Sequence, residues 1–175
     1  MHDDGATQEG AVDVTLQTIN EALAGSPAFR RIEDRLFVVK QGSAYVMICV
    51  QPFDGERALV RLAAQVVTGI EMNHELATRL LRVNARLRFG AFGFHEEGGA
   101  VTLNHALLGG EALAPEALLA ALEEMARLAD EFDDKLVAIG GGARMVDLLQ
   151  EETIARLRRA EELTQEGIAS WDEQD

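Results

Sequence analysis

The ten residues from Ala44 to Phe53, AYVMICVQPF, limit what this chain can become more than any other stretch. They are rich in β-branched and aromatic side chains, with Gln41-Gly42-Ser43 before them and Asp54-Gly55 after, so they read as a strand between two turns. Successive side chains of a strand point to opposite faces, which puts Val46, Ile48 and Val50 on one side and Tyr45, Met47 and Cys49 on the other. Both sets are apolar. One face can line a core beneath helices, and the other must then meet something else. Two occupants fit. The second face is a binding or dimer surface, or residues 143–166 fold back and cover it.

The flanking segments supply the rest of a sheet. FRRIEDRLFVVK, from Phe29, and ERALVRLAAQVVTGI, from Glu56, make a three-stranded antiparallel meander with the central strand. Ahead of it, Val12, Leu16, Ile19 and Leu23 fall on one face of a helix that Gly25, Ser26 and Pro27 stop, leaving 1–11 as a disordered acidic tail. Asn73 can cap a second helix whose stripe is Leu76, Leu80, Val83 and Leu87. Phe89–Glu97 and Ala100–Leu108 read as two more strands. A two-residue turn at Gly98-Gly99 sets Phe94 opposite Leu103 and Phe92 opposite His105. Pro115 opens a third helix carrying Leu118, Leu122, Met125, Ala129 and Phe132. Residues 136–142, LVAIGGG, suit a helix end, a short strand or a hinge. From Ala143 to about Glu166 a charged helix shows a narrow stripe of Val146, Leu149, Thr153, Leu157 and Ala160, and 167–175 form an acidic tail. The expected architecture is α+β, in the order α-β-β-β-α-β-β-α, with a five-stranded antiparallel sheet, helices mainly on one face and an extra C-terminal helix.

Charge narrows the partners. With 30 Asp+Glu against 16 Lys+Arg, the net charge of -14 repels phosphate backbones and anionic lipid, so neither nucleic acid nor membrane is expected. No apolar run approaches the roughly 18 residues of a membrane span. The single cysteine, Cys49, can form no intrachain disulfide, which fits a reducing, cytoplasmic setting.

Each candidate for chemistry has a simpler alternative. Arg79, Arg82 and Arg86 repeat at helical spacing and could dock an acidic partner, or form a solvated face with Glu75 one turn away. Ile139-Gly140-Gly141-Gly142-Ala143-Arg144-Met145 has the look of a strand, glycine turn and helix start that holds a phosphate, but Met145 stands where a third glycine belongs. A hinge is the simpler reading. His95 and His105 point to opposite faces of their hairpin, so no histidine pair suits a metal, and no metal or cofactor is expected. There is no Gly-x-Ser-x-Gly elbow, and Cys49 lies in an apolar strand where burial keeps a thiol inert, so no catalytic residue is assigned.

Three features of the central segment carry a resemblance. Leu80-Leu81 with Asn84 closes the second helix, Phe89-Gly90-Ala91-Phe92 opens the fourth strand, and Pro115-Glu116-Ala117-Leu118 opens the third helix. In that order and spacing the chain resembles YbjN-domain proteins, a family similar in fold to type III secretion chaperones, over roughly residues 12–136. It departs from the pattern at Ala114, where a polar N-cap is usual, and beyond Gly140. The resemblance implies a non-enzymatic module, chaperone-like or signalling-regulatory, that binds a polypeptide client or regulatory protein, often as a homodimer. On that basis residues 12–139 are the domain and 140–166 a helical extension. Tyr45, Met47 and Cys49, with Arg61 and Ala63 on the next strand, are the expected peptide-binding or dimer surface. The alternative is a small-molecule or nucleotide-binding domain with an unrecognised enzymatic activity.

Overall fold

A computed structural model of the chain describes residues 4–54 and 57–152. Helix α1 (Asp4–Leu23) leads into strands β1 (Phe29–Glu33), β2 (Leu36–Gln41), β3 (Ala44–Phe53) and β4 (Arg57–Thr68). Helix α2 (His74–Asn84), strands β5 (Ala91–His95) and β6 (Ala100–Leu108), helix α3 (Pro115–Gly140) and a two-residue strand β7 (Ala143–Arg144) follow. The fold is α+β, and every strand pairing is antiparallel.

Six strands lie in the order β1-β2-β3-β4-β6-β5, and β7 pairs with the end of β4. The five-stranded expectation is short by β1 and β7. Residues 29–40 are a hairpin rather than one strand, because the chain turns at Asp34-Arg35, a polar pair lacking the glycine or proline that marks a turn in sequence. The β5–β6 register also differs. Four residues, Glu96 to Gly99, make the connection, so Phe94 faces Val101 and Phe92 faces Leu103. The shift is of two residues, an even number, and each side chain keeps its expected face.

The ends of the domain differ as well. Helix α1 opens at Asp4, so much of the expected 1–11 tail is helical; no breaker stands between Ala6 and Glu9, and Glu9 pairs with Arg35 at 2.8 Å. Residues 136–140 are the last part of α3, Gly141 and Gly142 turn the chain, and β7 follows before a helical segment at 145–152. The expected helix from Ala143 therefore starts two residues late. Its stripe residues Thr153, Leu157 and Ala160, and the acidic tail 167–175, lie outside the described residues. Gly142 makes this return possible: its φ is +80°, and a Cβ there would meet the Thr68 carbonyl oxygen at 2.2 Å.

The core lies between one face of the sheet and helices α1 and α3. Phe37, Val46, Ile48, Val50, Val60, Leu62, Ala64, Val101 and Leu103 are buried there with Val12 and Ile19 of α1 and Leu118, Leu122 and Met125 of α3. Alternate positions of a strand bury together, which is why the hydrophobic period of two places this face without reference to register. Asn73 caps α2 as expected, its side chain accepting from Leu76 N–H at 2.9 Å. Ala114 offers no side-chain cap to α3, and Pro115, which lacks an N–H, leaves one fewer unpaired donor in the first turn.

Candidate functional site

The other face of the sheet holds no buried residue along β2 to β6. Tyr45, Met47 and Cys49 of β3 sit on it. Cys49 is directly opposite Arg61, and Met47 is opposite Ala63, so the five residues singled out from sequence form one contiguous patch. Met47 is 45% exposed, Arg61 is exposed, and Tyr45, Cys49 and Ala63 are half-buried by their neighbours. Lys40 places its ammonium 5.4 Å from the centre of the Tyr45 ring.

Cross-strand neighbours that sequence reasoning missed enlarge the patch. Val38 faces Met47, Leu36 faces Cys49, Leu59 faces Gln51, and Leu108 in turn faces Leu59. Phe53 and Leu108, 40% and 41% exposed, extend it toward the end of the ladder. Alternation within β2, β4 and β6 could have found them only with the register known. Reading 29–40 as a single strand set no register for β3 and hid the hairpin to which Leu36 and Val38 belong.

The patch has a depression at its margin. Strand β5 begins at Ala91, one residue after the chain turns at Gly90, and β6 runs on toward Leu108 paired with β4 but not with β5. Arg61, Gly90, Ala91, Asn104, His105 and Ala106 line a hollow of about 350 Å³ there. Gly90 has φ +72°, and a Cβ would press to 2.9 Å from the Asn104 carbonyl oxygen, so the backbone approach requires glycine. Its N–H donates to His105 Nδ1 at 3.2 Å, and Phe89 meets the same imidazole edge-on at 5.6 Å. Burial lowers the His105 pKa below its ordinary value, which keeps the ring neutral and able to accept.

Each edge of the six-stranded ladder has side-chain contacts to its backbone at one or two strand positions. On β5, Phe92 N–H donates to Asn84 Oδ1 at 2.7 Å and Asn84 Nδ2 donates to the Phe92 carbonyl at 3.0 Å. On β1, the Arg30 guanidinium donates to the carbonyls of Pro27 and Phe29, and Arg31 donates to those of Glu33 and Asp34. Such side-chain contacts blunt an edge against pairing with another strand.

Arg79 and Arg82 are exposed on α2, Arg86 is exposed in the turn that follows it, and Arg79 reaches Glu75 at 3.5 Å. They stand apart from the sheet patch. The glycine segment that resembled a phosphate loop follows a helix rather than a strand: Gly141 N–H donates to the Val137 carbonyl and closes α3. That order is the reverse of a nucleotide-binding turn, where a strand precedes the glycines and a helix follows. Among the described residues no three His, Cys, Asp or Glu side chains come together as metal ligands would.

Over residues 9–148 the sequence matches the TY-Chap1 family, T3SS (YopN, CesT) and YbjN peptide-binding chaperone 1. The chain belongs to this family. The TY-Chap1 match takes in β7 and the start of the helical segment after it. Among solved structures, the chain is similar to one in the ExsC–ExsE complex, with a TM-score of 0.51 and 19% identity over 74% of this chain and 95% of that one. A chain of the HopA1–SchA chaperone–effector complex gives a TM-score of 0.47 at 12% identity, covering 70% of this chain and 91% of that one. YbjN from E. coli also gives 0.47 at 12%, covering 69% and 92%. No curated protein matches the sequence. The TY-Chap1 assignment makes the protein a chaperone-like, peptide-binding module, and no described helix is long and apolar enough to cross a membrane.

Proposed function

We propose that this TY-Chap1 protein binds an extended polypeptide segment on the open face of its sheet, without catalysis, as a homodimer in the cytoplasm. The observation that supports the binding surface is the apolar patch around Met47, contiguous across β2, β3, β4 and β6 and bearing no buried residue. Tyr45, Met47, Cys49 and Ala63 supply apolar contact, with the methionine thioether able to repack around different side chains. Arg61 supplies charge. Self-association has a separate support in Leu81, which is 70% exposed on α2 and away from the patch, so one chain can use both surfaces at once. Arg79, Arg82 and Arg86 flank that leucine as a second, basic strip for an acidic partner. The one cysteine, which rules out intrachain disulfides, suits a reducing compartment.

The test is Met47→Glu in the full chain, overlaid on an immobilised array of 15-residue peptides of apolar, acidic and basic composition. Wild type is expected to bind a subset and the variant to lose it, with the circular dichroism spectrum and melting temperature unchanged. A variant that unfolds makes Met47 part of the core, and a variant that binds as well as wild type moves the site elsewhere. Light scattering on wild type and Leu81→Asp tests the dimer. A wild-type monomer refutes it.

A further inference from the structure

The open face differs in charge from the rest of the molecule. The chain as a whole carries nearly twice as many acids as bases. Along β2 to β6, however, the positions on the open face contain Lys40, Arg57 and Arg61 and no Asp or Glu. Strand β1 adds Arg30 and, beside the turn, Glu33. Arg57 is held by Asp54, and Arg30 is held by carbonyl groups. Arg61 is different. Its side chain is exposed at the rim of the hollow by Asn104 and has no carboxylate or hydrogen-bond partner among the described residues.

We infer that the segment taken by this face is an acidic one, with a carboxylate seated on Arg61 and an apolar side chain two residues away seated on Met47. The inference rests on the open face being the peptide-binding surface, and it adds the class of peptide. Arg61 is across from Cys49, the next residue after Met47 on the same face of β3, so the two anchors are diagonal neighbours about 7 Å apart. Side chains at i and i+2 of an extended peptide have the same separation and point to the same side. A guanidinium binds a carboxylate through two parallel N–H···O bonds, which suits Arg61 at the rim of the hollow. The overall charge of the chain repels such a peptide at long range, so recognition depends on the local cation rather than on steering.

The experiment uses the full chain and three dansyl-labelled 12-residue peptides built from repeats of Val-Ser-Glu-Ser, Val-Ser-Gln-Ser and Val-Ser-Lys-Ser, read by fluorescence anisotropy. The glutamate peptide is expected to bind about tenfold more tightly than the glutamine peptide, and the lysine peptide more weakly still. The preference should shrink in 0.5 M salt, because exposed charges are screened within a few ångströms there. Arg61→Glu should invert the order, while Arg61→Gln should erase the difference between the glutamate and glutamine peptides. Equal binding of all three peptides, sensitive to Met47→Glu but not to Arg61→Glu, overturns the acidic preference and leaves the binding face standing. No binding that depends on Met47 overturns both. If Arg61→Glu instead changes the mass seen by light scattering, a second copy occupies the face and the inference fails. If deleting residues 164–175 is what first admits the glutamate peptide, the chain's own acidic end is the occupant and a partner peptide is not.

Discussion

The two faces of β3 share one backbone and nearly the same composition, yet they have separate fates. Val46, Ile48 and Val50 are buried under α1 and α3, and Tyr45, Met47 and Cys49, one residue out of step, are left open. Hydrophobicity does not separate the sets. Their surroundings do: the inner positions face helices, whereas the outer ones face a sheet surface that mixes apolar residues with Lys40, Arg57 and Arg61. An apolar side chain stabilises a fold only where the fold covers it. Where it is uncovered, it is available to a partner.

Paired truncations on β3 give the largest expected effect and can break this contrast directly. Ile48→Ala should cost about 2–5 kcal/mol by emptying a closed core site. Met47→Ala, one residue away, should change stability by no more than about 0.5 kcal/mol. Urea denaturation of both variants measures the difference, and similar losses would mean that the outer face is also core. A smaller effect tests how the inner layer is held. Ser43, in the β2–β3 turn, donates through its backbone N–H to Asp130 Oδ1 at 3.1 Å, and its hydroxyl lies between Asp130 and the buried Asp133 of α3. Ser43→Ala should cost about 1–3 kcal/mol, since the one hydroxyl proton that Asp130 and Asp133 share is lost where water cannot fully replace it. The hydroxyl also holds the Asp130 pKa below the usual aspartate value, so that NMR titration should move upward in the variant.

The smallest effect concerns the margin of the two faces. His105 lies on the inner side of β6 where β5 has ended, and partial burial alone depresses its pKa. Its NMR titration should fall below the ordinary histidine value of about 6.5. The sign follows from proton binding. Between the folded and unfolded pKa values the unfolded chain holds more protons, so the neutral ring's full contribution is present above about pH 6.5 and is lost as pH falls through that window. A midpoint at or above 6.5 would mean that the inner layer ends before His105.

Much of this molecule was legible because periodicity is local. The stripe of Leu76, Leu80 and Val83, the cap at Asn73 and the two sides of β3 all follow from spacing along a few residues. The family was legible too, in Leu80-Leu81, Phe89-Gly90-Ala91-Phe92 and Pro115-Glu116, and the TY-Chap1 match bears it out. Turns were harder. Asp34-Arg35 offers one turn-former and no glycine or proline, and two glycines at 98–99 suggested a tighter connection than the four-residue one that forms. Strand β7 was beyond reach, because two residues cannot show a period; Gly141 and Gly142 merely let the chain return to β4.

What the sequence determined by itself is which side chains share a face, since that depends only on the alternation of neighbouring residues. Which strands stand beside one another was decided by the tertiary structure. Pairing joins residues far apart in the chain, and its register depends on turn lengths and on where β6 returns against β4. Arg61 illustrates the division. Alternation put it on the same side as Met47 and Cys49, while the β4–β6 ladder and the late start of β5 placed it at the rim of a hollow beside Asn104.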